Sequence, residues 1–231
     1  MKSFWSYISN GNNSVGCTGQ TVYVYDKEGN ECAKFKDIIY AYTSSISPNG
    51  RILAVKSTAG WLAVYSLETM NLIKKFRFSE VDSSQDDGFC FTDDSKHFIN
   101  IERHIDELHN SVVWYDAQTF EKVNSFQMNG TDHLDDIEQG TDGQLYVLGY
   151  FREKRQNRYF VGIITKDGIT DWQTITLSEY DFYWHCLNLK RCGFTDKACE
   201  WTHGEYDFEK IKNGNYSLKR LFDYYKEKES G

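Results

Sequence analysis

Proline is nearly absent from this chain: Pro48 is the only one in 231 residues. The turns therefore fall to Gly, Asn, Asp and Ser, which reach left-handed backbone or bond to their own main chain. No apolar run approaches the roughly 18 residues of a membrane-spanning helix. The opening Met1-Lys2-Ser3-Phe4-Trp5-Ser6 leads into no apolar stretch of a secretory signal, which predicts a cytoplasmic protein. Its six cysteines are accordingly expected as reduced thiols. Clustered positive charge is also missing. Acidic residues outnumber basic ones, 34 to 26, for a net charge of −8. The one dense basic run, Arg152 to Arg158, includes Glu153 and falls where a hairpin tip is expected. Phosphate surfaces are read by clustered Lys and Arg, so neither nucleic acid nor a membrane is an expected partner. There is no Gly-x-Ser-x-Gly elbow and no phosphate-cradling Walker loop.

What is present is a four-beat pattern with a period of about 45 residues. Its clearest copy runs Ser47-Pro48-Asn49-Gly50, Arg51-Ile52-Leu53-Ala54-Val55, Trp61-Leu62-Ala63-Val64-Tyr65 and Asn71-Leu72-Ile73-Lys74-Lys75-Phe76. Turn, strand, strand, strand describes an antiparallel blade. Aromatics make up 16 % of the chain and suit half-buried pleated surfaces. The expected fold is all-β, a propeller-like array of about five four-stranded blades in a single domain over residues 1–231. The blades are placed at 4–37, 38–80, 86–128, 133–178 and 179–212. The fifth is degenerate, with strands expected at Tyr183–Leu189, Lys197–Thr202 and Tyr206–Ile211. Helical spacing after Ser217 predicts a short C-terminal helix over 216–227, with Ser217 as its cap.

The strands Thr21-Val22-Tyr23-Val24-Tyr25-Asp26 and Ser111-Val112-Val113-Trp114-Tyr115-Asp116 resemble the third strand of WD-repeat and YVTN-type β-propeller blades. The turns at Ser47–Gly50 and Thr92-Asp93-Asp94-Ser95 resemble the Ser-Pro-Asp-Gly turn of those families. The likeness covers roughly residues 4–180. The Trp-Asp pair itself is absent, Tyr65-Ser66 lacks the acid, and no Gly-His pair precedes the blades. The resemblance implies a propeller whose top face binds proteins or peptides. It carries no catalytic residue onto this chain.

Three groups of residues could carry chemistry. His185, Cys186, Cys192, Cys199 and His203 are of the types zinc prefers, but no Cys-x-x-Cys is present and the spacings match no common zinc module. Buried thiols and incidental histidines are the favoured reading, and no cofactor is expected. Glu102, His104, Asp106 and His109, with His97 and Glu107 nearby, could bind a ligand or metal or act as acid and base. A solvated polar loop is the plainer reading. The acids Asp132, Asp135, Asp136, Glu138 and Asp142 lack the spacing of a Ca²⁺ loop and are expected as solvated charge. Among the tryptophans, Trp61 is a candidate anchor for a partner.

These readings predict a non-enzymatic propeller of scaffold, accessory or immunity type. Its expected partner is a protein or peptide, of basic character given the acidic balance. The alternative is a propeller hydrolase or lyase acting on a small molecule or glycan through Glu102, His104 and Asp106.

Overall fold

Four antiparallel sheets of four strands follow one another along the chain, each a meander. The computed structural model describes residues 2–79, 88–103, 110–128, 132–154, 156–201 and 206–230. The first blade holds β1 (Ser6–Ser9), β2 (Asn13–Cys17), β3 (Val22–Asp26) and β4 (Glu31–Phe35). The second holds β5 (Ala41–Ile46), β6 (Ile52–Ser57), β7 (Trp61–Ser66) and β8 (Asn71–Arg77). The third holds β9 (Phe89–Phe91), β10 (His97–Arg103), β11 (Asn110–Asp116) and β12 (Lys122–Gln127). The fourth holds β13 (His133–Gln139), β14 (Leu145–Glu153), β15 (Gln156–Thr165) and β16 (Gly168–Thr174). The expected four-stranded blades are present, and the first strands β1, β5, β9 and β13 neighbour one another in turn along the inside of the array.

Burial explains the composition of each strand. The middle strands lie between two blades, so both of their faces are covered. Leu53, Ala54 and Val55 of β6 and Leu62, Ala63, Val64 and Tyr65 of β7 are all fully buried. That is why they read as unbroken apolar runs rather than as alternating ones. The outer strand β8 is mostly exposed and carries Lys74, Lys75 and Arg77, charged side chains of the kind that blunt a free sheet edge. Three apolar clusters fill the spaces between successive blades, centred on Val24 and Leu53, on Phe98 and Phe120, and on Ile101 and Phe160.

The turns repeat with chemical substitutions. Gly50 and Gly143 sit at φ +74° and +80°, and Ser95 takes the matching left-handed position at +56°. The turn amides Gly50, Ser95 and Gly143 each bond back three residues, to the carbonyls of Ser47, Thr92 and Gly140. The position of the family's acid holds the last hairpin of every blade. Asp26 accepts from the Asn30 amide at 2.8 Å and Asp116 from the Gln118 and Thr119 amides at 2.9 Å each. Ser66 accepts from the Thr69 amide at 3.1 Å, and Thr165 from that of Asp167 at 3.3 Å. A hydroxyl thus replaces the acid in the second and fourth blades.

The segment expected as a fifth blade is helical. It forms α1 (Leu177–Cys192), α2 (Asp196–Trp201) and α3 (Phe208–Asn213), followed by α4 (Leu218–Ser230). Thr176 and Glu179 make a reciprocal capping box at the start of α1. Gly193 closes it in left-handed backbone at φ +66°, after Lys190 and Arg191 in the last turn. A Cβ on Gly193 would collide with the Tyr7 carbonyl of β1. Two faces of α1 are buried. Trp184 and Leu187 pack with the fourth blade and α4, while Phe182, Cys186, Leu189 and Cys192 pack with Trp5, Tyr42 and the other helices. A helix packed on two faces, with polar residues between them, shows no single apolar stripe, and its aromatic-rich stretch 183–189 has the composition of a strand. The C-terminal helix is present as α4, and Ser217 Oγ accepts from the Arg220 amide at 3.3 Å.

Candidate functional site

Glu102 lies between the second and third blades and is only 6 % exposed. In the β10–β11 register, Phe98 faces Tyr115 and Glu102 faces Ser111, so Glu102 and Tyr115 share one side of the sheet. Tyr115 donates its hydroxyl to Glu102 Oε1 at 2.6 Å, and Asn100 Nδ2 donates at 3.2 Å. Burial, then the Glu102 charge, pushes the Tyr115 phenol well above its usual range. Lys56 enters the same interface with its ammonium 4.5 Å from the Phe78 ring centre. Glu102 is therefore a buried member of an inter-blade network and not part of a solvated loop. His104, Asp106 and His109 fall outside the described residues. Trp61 is half-buried at the start of β7, with the Lys75 ammonium 4.8 Å from its ring centre.

The Cys/His group is carried by helices rather than strands. Cys186 and Cys192 are buried in the helical core, and burial pushes the Cys186 thiol up to about 12. The thiolate is the metal-binding form, so this environment works against coordination. His185 lies 4.0 Å from Asp181 and 5.1 Å, between ring centres, from Tyr206. His203 lies outside the described residues. Among the described residues, no three His, Cys, Asp or Glu side chains converge as metal ligands.

The acids of β13 correct the expectation of solvated charge. Asp135 is 8 % exposed and Asp136 is fully buried. The β13–β14 register shifts between Leu134 and Asp136, leaving Asp135 as the extra residue of a bulge. Bulges re-aim side chains. Here Leu134 and Ile137 both face the third blade, while Asp136 is left to meet α1. Asp136 Oδ1 accepts from Arg191 Nη1, and Arg191 Nη2 donates to Asn188 Oδ1 at 2.9 Å. Asp135 accepts from the Tyr180 hydroxyl at 2.8 Å and from Arg103 Nη2 at 3.4 Å. Glu138 accepts from the Leu218 amide, and burial raises its carboxyl above the usual range. The acidic strand is thus the dock for α1 and for the start of α4. The flanking Leu134 and Ile137 mark a buried strand in the sequence, but nothing near them in the chain identifies the acids' partners.

Beside this network, His133 stacks on Tyr150 with ring centres 5.1 Å apart. Asn110 Nδ2 lies 3.3 Å from His133 Nδ1. Burial, followed by the charges of Arg103 and Arg152, holds the His133 imidazole down at about 4. It is neutral at pH 7.

One surface feature stands apart from these buried networks. Between β4 and β5, Ile38 is fully buried, while Ile39 and Tyr40 are 59 % and 60 % exposed. The segment is held by its carbonyls. Asp37 O accepts from Lys75 Nζ at 2.5 Å, Ile39 O from Ser57 Oγ at 2.6 Å, and Tyr40 O from the Thr58 amide at 3.1 Å. Tyr40 is kept at φ +54°, a region that costs a residue with a Cβ roughly 1–2 kcal/mol. Lys75 also covers Trp61, so the segment and Trp61 share a neighbour. The result is a fixed loop presenting two large apolar side chains to solvent, at a position where sequence pattern gave no signal beyond the pair of isoleucines and the tyrosine.

No protein-family model and no curated protein matches the chain. Solved structures do. A eukaryotic initiation factor is 17 % identical with a TM-score of 0.50, covering 73 % of this chain and 42 % of its own. The WD40 domain of Toxoplasma gondii coronin is 18 % identical with a TM-score of 0.51, covering 74 % of this chain and 46 % of its own. The chain thus spans less than half the length of either structure. At such identity the likeness concerns the fold alone: the sheets of this chain have the architecture of WD40-type propeller blades.

Proposed function

We propose that the chain is a non-enzymatic binding propeller that takes a protein or peptide on the surface carrying Ile39 and Tyr40. The observation that supports this reading is the pinned, left-handed loop holding two large apolar side chains in solvent. Large exposed side chains on a rigid support lose little entropy on binding and serve as anchors. Trp61, which shares Lys75 with this segment, is a candidate second anchor. The acidic balance of the chain favours a partner of basic character. The hydrolase or lyase reading has less support, because Glu102 is enclosed by Tyr115 and Asn100 between blades.

The test compares partner recovery by the wild-type chain with that by an Ile39→Ser/Tyr40→Ser double variant, in extract of the native host at near-physiological salt. A partner recovered by the wild type and lost by the variant, with unchanged circular dichroism, supports the reading. Equal recovery by both chains rules out this surface, and no specific recovery by the wild type counts against the binding role itself.

A further inference from the structure

At the outer edge of the array, a groove of about 280 Å³ separates the third blade from the fourth. Phe126 and Met128 form the wall on the third blade, and Phe151, Ile169 and Trp172 form the wall on the fourth. Phe151 is backed by Phe160, with ring centres 4.3 Å apart, and Trp172 stands across Phe151 with centres 5.3 Å apart. Met128 is buried, whereas Trp172 is 37 % exposed. The groove therefore has an apolar floor and an aromatic rim open to solvent.

Specific contacts hold both ends of this groove. Asn124 Nδ2 of β12 donates to the Lys166 carbonyl at 2.9 Å and ties the β15–β16 turn to the third blade. In that turn Gly168 sits at φ +132°, and a Cβ there would strike the Phe126 ring. Only glycine lets the turn come so close. Thr165 Oγ1 accepts from the Asp167 amide, which fixes the residue that lines this end. At the other end Asp132 Oδ1 accepts from the Arg152 amide at 2.9 Å.

The charge of the lining has one sign. Asp132 and Asp167 line the groove and no lysine or arginine does. The Arg152 amide takes one oxygen of Asp132 without neutralising it, and the Asp167 carboxylate has no hydrogen-bond or ion-pair partner among the described residues. Arg158 lies 4.6 Å from the Trp172 ring centre. It lines the separate depression at the β14–β15 hairpin, where Thr174 and Glu153 hold it, so the indole stands between Arg158 and the groove. Aromatic faces attract cations. A long basic side chain lays its stem on apolar surface and carries its charged head to the rim.

We propose that this groove binds a basic peptide segment, whose lysine or arginine side chains lie over Phe151 and Trp172 and pair with Asp132 and Asp167. Charge complementarity sets the occupant, since two acids flank an aromatic surface on a chain of net charge −8. The groove lies on the third and fourth blades, whereas Ile39 and Tyr40 lie between the first and the second. It does not depend on a partner at that loop.

The experiment titrates fluorescein-labelled Arg-Leu-Arg-Leu-Arg amide with the purified full chain at near-physiological salt and follows fluorescence anisotropy. Saturable binding is expected, and none for the labelled Gln-Leu-Gln-Leu-Gln amide. The Asp132→Asn/Asp167→Asn double variant, which keeps an acceptor for the Arg152 amide, weakens binding about tenfold through the loss of two solvent-accessible ion pairs. Trp172→Ser weakens it by a similar factor; if that variant does not fold, the double variant decides. Glu28→Gln removes an exposed charge of the first blade and leaves binding unchanged, as does Ile39→Ser/Tyr40→Ser. No saturable binding by the wild type, or equal binding by the Asp132→Asn/Asp167→Asn variant, overturns the proposal. So does an equal loss in Glu28→Gln, which would show general charge attraction, or in Ile39→Ser/Tyr40→Ser, which would place the peptide on the other surface.

Discussion

Arg191 in the last turn of α1 and Asp136 on the inner strand β13 form an ion pair across 55 residues of sequence. The Asp136 side chain is fully buried and that of Arg191 is 15 % exposed. Burial works against the Arg191 charge, but the Asp136 carboxylate more than offsets it and raises the guanidinium above its ordinary value. The pair joins the helical segment to the fourth blade, while Gly193, two residues on, rests against Tyr7 of the first. One end of one helix therefore spans the space between the last blade and the first.

Removing one partner leaves a buried, uncompensated charge, which is the expensive way to break such a pair. Arg191→Met is expected to lower the unfolding free energy by about 3–5 kcal/mol, read from the midpoint of urea denaturation at unchanged slope. Asp136→Asn combined with Arg191→Met should recover much of the loss, since the charge left behind is gone. A loss of under about 1 kcal/mol in the single variant, the range of exposed pairs, would show that solvent reaches Asp136.

Ser95 pairs two consequences of the repeat. Its backbone is left-handed at φ +56° where the neighbouring copies have glycine. Its Oγ accepts from the Asn49 amide of the preceding blade at 3.0 Å, a bond between residues 46 apart. Ser95→Ala loses the bond and keeps the strain, whereas Ser95→Gly loses the bond and relieves it. The glycine variant should be the more stable of the two by about 1 kcal/mol, measured by chemical denaturation. Equal stabilities would mean that the turn relaxes away from its left-handed form.

His133 gives a pH dependence whose sign follows from its depressed value. The unfolded imidazole titrates near 6.5 and the folded one at about 4. Between those values the unfolded state binds more protons, so the native state is progressively disfavoured as pH falls from 6.5 towards 4. Above 6.5 both states are neutral and the group contributes no slope. His133→Gln should make the stability profile flatter than that of the wild type within this window and parallel to it at pH 7–8. Profiles that stay parallel down to pH 4 would mean that the imidazole is solvated in the native protein.

Much of the blade architecture was legible in the residues. Runs such as Leu53-Ala54-Val55 and Leu62-Ala63-Val64-Tyr65 must be buried on both faces, and stacked sheets supply that burial. The turn positions were legible too, because Gly50 and Gly143 mark left-handed backbone directly. The helical segment was not. Its capping box at Thr176 and Glu179 and its terminal Gly193 are short local signals. Against them stood an aromatic stretch, Tyr183-Trp184-His185-Cys186-Leu187, that composition assigns to a strand and that the packing of α1 on two sides stripped of helical periodicity. Glu102 and Asp136 were equally opaque. An acid in a strand reads as solvated unless its partner is known, and the partners Tyr115 and Arg191 lie 13 and 55 residues away.

The sequence by itself determined the four blades, their period and their turns, because these rest on local backbone preferences and on strands whose neighbours are the next strands in the chain. Only the tertiary structure decided how the array ends and where its polar groups go. Those outcomes depend on contacts between distant segments, α1 against β1 and β13 above all. There, burial turns an acid from a surface charge into half of an ion pair, and a pinned carbonyl leaves Tyr40 standing in solvent.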